Sequence, residues 1–131
     1  MSTRLSRGWW VAAVLVAAPS FAEGNSAAES VAATDPQVEL GGRLYKTQTC
    51  IACHSLDGSA RAAPSFVGLF GKQEKLTNGQ VIQVDDAYLR ESILNPGAKV
   101  TTGFLPTMPP FKGRLTDAEI DALIAFIKSI R

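Results

Sequence analysis

The sequence predicts an all-α domain built from three main helices and long loops. Apolar residues recur at helical spacing in three separate segments, and turn-forming residues crowd the stretch between the first and second of them. No segment alternates apolar and polar residues regularly enough to build a sheet, and no unit repeats along the chain. Helices therefore make up the regular structure that we expect.

The first helix is predicted over residues 37–49. Val38, Leu44 and Tyr45 recur there at the spacing of one helical face. The next residue is Cys50, so this helix delivers the chain directly into a cysteine. Beyond His54 we expect a long irregular segment, because turn residues are dense there. At most a short piece such as residues 81–84 should be extended.

The second helix is predicted within the stretch DDAYLRESILNP, which covers residues 85–96. Two aspartates open it, as is usual for the first turn of a helix. Tyr88, Leu89 and Ile93 fall on one side, and Pro96 ends the helix because proline cannot continue it.

The third helix has the clearest signals in the chain. Thr116 and Glu119 stand at the spacing of a capping box, in which each side chain bonds the other residue's backbone amide. An apolar stripe follows the box. Its members are Ile120, Leu123, Ile124 and Ile127, widened by Ala122 and Phe126.

The amino-terminal region predicts export. Arg4 and Arg7 precede an apolar run over residues 9–18, and small residues then lead to Ala22. This order is typical of a signal peptide, and we predict it over residues 1–22. A retained membrane anchor is the alternative, although spanning needs about 20 apolar residues. Residues 23–36 are small and polar and predict a flexible linker, and residues 37–131 form the predicted domain.

The balance of charges argues against nucleic-acid binding. The chain has 13 basic and 12 acidic side chains, a balance that gives no sign of nucleic-acid binding. We expect a monomer that touches a membrane only through a partner or an uncleaved signal segment.

An exported protein usually pairs its cysteines in a disulfide. Cys50 and Cys53 are too close in sequence for a disulfide between them to restrain much chain.

The motif CIACH, from Cys50 to His54, explains both the cysteines and the loops. Three short helices bury little apolar area, and long loops are uncommon unless they bind something. A large apolar cofactor would solve both problems. Cys-x-x-Cys-His is the attachment signature of c-type haem, in which two thiols form thioethers with one porphyrin and the histidine faces the iron. We therefore predict one covalent haem c, with Cys50 and Cys53 as the thioethers and His54 as an axial ligand.

Two other chemistries use similar residues. A dithiol of the thioredoxin type also has Cys-x-x-Cys, but it requires a strand before the motif and a βαβ framework, whereas a helix is predicted here. Copper(I) also favours thiolate, imidazole and thioether ligands. Both remain open as minor alternatives.

Met108 is the predicted sixth ligand of the iron. The chain has two methionines, of which Met1 would leave with the signal peptide, and it has one histidine, so a second imidazole is excluded. Pro106, Pro109 and Pro110 flank Met108 and restrict its backbone. Filling of the core is the ordinary role of a lone methionine. A proline-bracketed loop is a poor place for that role.

With these residues in view, the chain resembles class I cytochromes c from about residue 38 to residue 130. It is most similar to the small cytochrome domains fused to subunit II of some haem-copper oxidases, through the runs YLRESILNP, MPPFKGRLTD and LIAFIKSI. The resemblance implies a small fold of three helices wrapped around one haem.

The resemblance also implies further roles. The Pro64 carbonyl would accept a hydrogen bond from Nδ1 of His54, and Lys72 would contact a haem propionate. The first helix would cross the last one, with Gly42 near Phe126. The chain departs from mitochondrial relatives because both tryptophans, at positions 9 and 10, lie in the predicted signal peptide.

A haem held by His54 and Met108 has no open coordination position, which leaves one-electron exchange at a raised potential. We therefore expect a periplasmic electron carrier that delivers electrons to a terminal oxidase or reductase and is not itself an enzyme. A dedicated haem subunit of a periplasmic dehydrogenase or respiratory complex is the alternative. Two kinds of docking are open, through the basic loop that carries Lys99, Lys112 and Arg114 or through apolar side chains at the same rim.

Overall fold

The computed structural model describes residues 35–131. The predicted signal peptide and nearly all of the predicted linker lie outside the described residues, so their boundaries stay predictions. The regular elements within residues 35–131 are helix α1 (Pro36–Thr47), a 3₁₀ turn (Cys50–Ala52), strands β1 (Gln73–Lys75) and β2 (Val81–Gln83), and helices α2 (Asp86–Leu94) and α3 (Asp117–Ser129). The three predicted helices are confirmed.

Helix α1 begins and ends at clear signals. The Asp35 side chain accepts a hydrogen bond from the Gln37 amide at 2.8 Å, and Pro36 occupies the first helical position. The helix ends at Thr47, two residues before its predicted end, because Thr49 takes a left-handed conformation with φ of 61°. That reversal turns the chain into the 3₁₀ turn that starts at Cys50.

A small sheet corrects the expectation of a purely helical domain. Strands β1 and β2 pair in antiparallel fashion, with Gln73 opposite Gln83 and Lys75 opposite Val81. The extended piece was expected near residues 81–84, but its partner β1 was not. Strands of three residues are too short to display alternation, and the sequence of β1, QEK, has no apolar residue that would distinguish it from a loop.

Helix α2 is capped by Asp85, whose side chain accepts from the Tyr88 amide at 2.8 Å. It ends at Leu94, two residues before the proline that was expected to stop it. The Arg90 guanidinium bonds Asp117 and Asp121, which ties α2 to the first two turns of α3. The hydrogen-bonded β-bridge between Leu76 and Thr101 joins the sheet region to the segment after α2.

Helix α3 begins with the predicted capping box, which is confirmed. The Thr116 hydroxyl accepts from the Glu119 amide at 3.3 Å, and the Glu119 carboxylate accepts from the Thr116 amide at 2.8 Å. The predicted apolar stripe is buried except for Phe126, which is half-buried.

Helices α1 and α3 cross at two glycines of α1. A Cβ on Gly41 would lie 2.0 Å from the carbonyl oxygen of Ala122, and a Cβ on Gly42 would lie 3.2 Å from Cε2 of Phe126. The predicted contact between Gly42 and Phe126 is therefore present, and Gly41 makes the closer approach. Tyr45, one turn further along α1, lies fully in the core, with its ring centroid 5.5 Å from that of Phe126.

The core lies between this helix pair and the segments that follow α1 and α2. Its buried apolar members come from all three helices and from the segments between them: Leu44, Tyr45, Phe66, Leu69, Val84, Leu89, Ile93, Phe111, Leu115, Ile120, Ala122, Leu123, Ile124 and Ile127. Within residues 35–131, every helix is too short or too polar to cross a bilayer.

Candidate functional site

A cleft of about 250 Å³ opens between the 3₁₀ turn and the proline-rich segment. Cys50, Cys53, His54 and Met108 all line it. The rest of its lining is mainly apolar and includes Ala63, Phe66, Leu69, Leu89, Ile93, Val100, Phe104, Leu105, Phe111 and Ile127. The residues that the sequence predicted as thioethers and axial ligands thus meet in one place.

The two cysteines lie on a tight turn. The His54 amide donates to the Cys50 carbonyl at 2.9 Å, which folds CIACH back on itself. Cys50 is half-buried and Cys53 is exposed, and both thiols are free. Burial raises the pKa of the Cys50 thiol, so this sulfur stays protonated and uncharged at neutral pH. Both thiols are free, as the formation of two haem thioethers requires.

The orientation of His54 is fixed by one hydrogen bond and one stacked ring. Its Nδ1 lies 2.8 Å from the Pro64 carbonyl oxygen, and because a carbonyl cannot donate, the proton is on Nδ1. Its ring stacks on Phe66 with centroids 4.5 Å apart. Burial lowers the pKa of His54, and the bond to Pro64 opposes that effect less strongly. The side chain is thus a neutral imidazole with an unprotonated Nε2, the form that coordinates a metal.

A second set of bonds supports the backbone around His54. The Tyr45 hydroxyl donates to the His54 carbonyl at 2.6 Å, and the Phe66 amide donates to the Ser55 carbonyl at 2.9 Å. The Ser55 hydroxyl is buried and donates to the Ser59 carbonyl at 2.8 Å. Burial also raises the pKa of Tyr45, so its hydroxyl remains a donor at neutral pH. Helix α1 therefore reaches across to hold the histidine in place.

Met108 lies on the other side of the cleft, partly buried against the core. Few bonds hold its segment. The Thr107 amide donates to the Leu105 carbonyl at 2.8 Å, and the Phe111 amide donates to the Ile93 carbonyl at 3.1 Å. The flanking prolines supply the remaining restraint because each fixes its own φ angle.

Lys72 is placed away from the other predicted residues. It does not line the cleft, and its ammonium lies 2.8 Å from the Glu74 carboxylate. A contact between Lys72 and a propionate stays a prediction, and the ion pair within the sheet region offers the side chain a different partner.

Several residues at the cleft were not predicted from the sequence. Phe66, which stacks on His54, could have been suspected because it follows Pro64 by two residues. Tyr88 and Thr101 form a hydroxyl pair 3.2 Å apart on the wall near Met108. Ser92 also lines the cleft. No local pattern marks these hydroxyls, because their role depends on contacts between α2 and the segment after it.

The donor set fits a haem better than a directly chelated metal ion. The imidazole and the thioether line one apolar cleft, and the thiols stand beside the imidazole. Across residues 35–131, no three His, Cys, Asp or Glu side chains converge closely enough to hold a metal ion themselves. The thioredoxin-type alternative lacks support, since α1 and not a strand precedes the motif.

Comparison with known proteins agrees with this geometry. The family model described as Cytochrome c matches residues 38–131. The chain is also similar to cytochrome c oxidase subunit 2 from Alkalihalophilus pseudofirmus, with 26% identity over 113 residues. That alignment covers 86% of this chain but only 31% of the relative, so the chain spans about a third of that protein's length.

Proposed function

Because the chain belongs to the cytochrome c family, we propose that it is a periplasmic one-electron carrier whose haem is held by four named residues. Covalent haem binding and electron transfer come with the family. The proposal adds that Cys50 and Cys53 carry the thioethers and that His54 and Met108 are the axial ligands. Its main support is the single cleft that all four residues line.

A bound haem supplies an iron that alternates between the ferrous and ferric states. His54 presents Nε2 in the required protonation state because Pro64 holds the proton on Nδ1. Met108 offers a thioether, a ligand that favours the reduced state and raises the potential. The apolar lining keeps water from the site, which also disfavours the more highly charged ferric form. A haem held by both His54 and Met108 would have no coordination position open to a small molecule, so the chemistry it would supply is electron exchange.

The rim of the cleft suggests how a redox partner docks. Leu105 lines the cleft and is 75% exposed, and Ile51, between the two cysteines, is 43% exposed. Lys99, one of the three basic residues expected to steer a partner, already pairs with Glu91 at 2.5 Å. Lys112 and Arg114 are the two that remain for steering. We therefore favour docking through apolar contact over docking driven by charge.

We infer that the partner is a terminal oxidase or a reductase. The support is the similarity to a protein whose name is cytochrome c oxidase subunit 2, together with the exposed apolar rim. Membership of a larger complex as a dedicated haem subunit is the second candidate, since the similar relative is about three times longer than the matched region. Copurification from membranes with a larger oxidoreductase would favour the second candidate over a diffusible carrier.

The test uses the full chain made in cells that carry the haem-attachment machinery. We expect one haem per chain in a pyridine haemochrome assay, and the colour should resist extraction with acidified acetone. Cys50→Ala should lower covalent haem strongly, whereas Ile51→Ala, in the same turn, should retain it. A colourless wild-type protein, or a ferrous form that takes up carbon monoxide readily while folded, would contradict the proposal. Recovery from the periplasmic fraction tests the location.

A further inference from the structure

Helix α2 supports the segment that carries Met108. The Tyr88 hydroxyl pairs with the hydroxyl of Thr101 at 3.2 Å, and Thr101 precedes Met108 in the sequence. The carbonyl of Ile93 accepts from the amide of Phe111 at 3.1 Å, and Phe111 follows Met108. The segment is thus tied to α2 on both sides of the methionine, so a shift of α2 displaces Met108 as well.

Charged side chains join α2 to α3. Asp86 and Arg90 stand four positions apart on α2 and therefore share one of its faces. The Lys128 ammonium of α3 lies 2.8 Å from the Asp86 carboxylate, and both partners are exposed. The Arg90 guanidinium bonds the carboxylates of Asp117 and Asp121, and its side chain is 34% exposed. Arg90 is therefore the better shielded of the two links between these helices.

Arg90 differs from an ordinary surface ion pair because it joins two carboxylates of one helix. Asp117 and Asp121 stand four positions apart on α3, where like charges repel each other. Each terminal nitrogen of the guanidinium bonds one of them. Arg90 thus makes two charge-assisted hydrogen bonds and also offsets the repulsion between its partners. Removing its charge would lose both effects.

We propose that Arg90 is a positioning residue for Met108. Its bonds to α3 hold α2 in place, and α2 in turn holds the segment that supplies the methionine. Arg90 does not line the cleft, so it acts through α2 and is not a ligand. The inference rests on the proposed function, since it takes Met108 as an axial ligand. It adds that the hold of Met108 on the iron weakens as ionic strength rises, because salt screens the charges that fix α2.

The dependence on salt separates this role from simple packing. In the wild type, added salt weakens the attraction between Arg90 and its two partners and so loosens α2. In an Arg90→Gln variant that attraction is already lost, and added salt reduces the repulsion between Asp117 and Asp121. The variant should therefore lose the response to salt. A loss of packing alone would instead loosen α2 to the same extent at every salt concentration.

The experiment measures how readily imidazole displaces Met108 from ferric iron. The haem-loaded protein is titrated with imidazole in about 0.01 M and about 1 M sodium chloride, where charges are screened over about 30 Å and about 3 Å. The sulfur-to-iron charge-transfer band reports the displacement. In the wild type we expect the apparent affinity for imidazole to rise about twofold to fivefold with salt, as for exposed ion pairs. Arg90→Gln should keep the band, bind imidazole about twofold to fivefold more tightly than the wild type at low salt, and change little at high salt.

Arg43→Gln is the matched control. Arg43 lies on α1, bonds Glu39 of the same helix at 2.6 Å and is 60% exposed. Its replacement changes the net charge by the same amount as Arg90→Gln but leaves the link between α2 and α3 intact, so it should match the wild type. Arg90→Lys keeps the charge but has one ammonium in place of the guanidinium fork. It should fall between the wild type and Arg90→Gln, and it tests the inference even where Arg90→Gln does not fold.

Two results would overturn the inference for Arg90→Gln. The first is imidazole binding equal to that of the wild type at low salt, even with a lower free energy of unfolding, because the role would then be structural alone. The second is a response to salt as large as in the wild type. An Arg43→Gln variant that behaves like Arg90→Gln would also overturn it. Absence of the charge-transfer band in the wild type is a different result, because Met108 would then not be the ligand and the proposed function would be wrong at that residue.

Discussion

The two walls of the cleft hold their ligands by different physical means. The His54 wall, residues 50–66, is cross-linked by hydrogen bonds: Pro64 fixes the imidazole, Tyr45 fixes its backbone carbonyl, and Ser55 is bonded on both its hydroxyl and its carbonyl. The Met108 wall, α2 and residues 96–111, places no such bond on its ligand. It restrains Met108 through three neighbouring prolines, which limit the freedom of the backbone.

This difference predicts which wall of the cleft opens first. Hydrogen bonds between distant segments break only when those segments separate, and Tyr45 links the His54 wall directly to the α1–α3 crossing. The segment that follows α2 is tied to it near its start by the Lys99–Glu91 ion pair and the Tyr88–Thr101 hydroxyl pair, and past Met108 by the bond from Phe111 to Ile93. Leu105, between these points, is exposed. We therefore expect the Met108 wall to open locally at a lower free energy than the His54 wall.

The largest effect should come from removing each ligand in turn. Met108→Ala should retain covalent haem, lose the sulfur-to-iron band, bind carbon monoxide and have a lower potential. His54→Ala should yield little folded haem protein. This change removes the ligand that lies beside both cysteines, in the wall that hydrogen bonds cross-link. Haemochrome yield and optical spectra measure both outcomes. Equal haem yields from the two variants would break the comparison between the walls.

A change at the helix crossing should be next in size. Gly41→Ala puts a Cβ where the carbonyl oxygen of Ala122 lies 2.0 Å away, and a backbone atom cannot rotate aside. We expect a loss of about 1–3 kcal/mol in the free energy of unfolding, measured with denaturant. Gly42→Ala is the matched control, since its nearest neighbour is the edge of the Phe126 ring at 3.2 Å. A smaller effect at Gly41 than at Gly42 would contradict the packing described.

Removing one support from each wall should have a smaller effect, and the two effects should differ in kind. Tyr45→Phe removes only the hydroxyl that bonds the His54 carbonyl and should lower the free energy of unfolding by about 1 kcal/mol. Pro109→Ala should cost about 0.4–1 kcal/mol by restoring freedom to the unfolded chain. Hydrogen exchange separates the two, because Tyr45→Phe should speed exchange around His54, and Pro109→Ala should leave those amides as they were. Faster exchange at His54 in both variants would show that the walls are not independent.

The smallest effect concerns pH. Hydrogen bonds from Thr116 lower the pKa of Glu119 in the folded protein. A carboxyl whose pKa is lowered by folding contributes stability above its unfolded value, and that contribution is lost as the pH falls through the folded value. Glu119→Gln should therefore flatten the fall in stability of α3 between neutral and acidic pH, as followed by circular dichroism at several pH values. Since α3 begins just beyond the Met108 wall, any loosening in acid should appear first on that side. If Glu119→Gln left the dependence of stability on pH unchanged, the Thr116–Glu119 capping box would not have this role.

The sequence was most informative where its signals are local. Helical spacing and the Thr116–Glu119 pair located the three helices, because caps and apolar stripes lie within one or two turns. The strand β1 was missed, since its pairing with β2 depends on a turn and not on its own polar residues. The closer role of Gly41 was also missed, because only the crossing angle of two distant helices decides which of two adjacent glycines faces the partner.

The site shows the same division. The motif and the scarcity of methionine and histidine named Cys50, Cys53, His54 and Met108, and the structure brings these residues to one cleft. Ser92 could not be singled out, because the role of a serine in a helix depends on the residues that surround it in the folded chain. For Lys72 the resemblance suggested one neighbour, whereas the hairpin supplies another in Glu74.

The crossing of α1 and α3 also bears on how the chain reaches its native state. Cys50, Cys53, His54 and Met108 all lie in sequence between Gly41 and Ala122, so forming the contact of these two residues means closing a loop that contains all four candidate haem ligands. The entropy lost in closing a loop grows with its length. A haem joined to Cys50 and coordinated by Met108 would bypass most of that loop before the helices meet. The prosthetic group would then act as a folding template, and the chain without it should search for its helix crossing much more slowly.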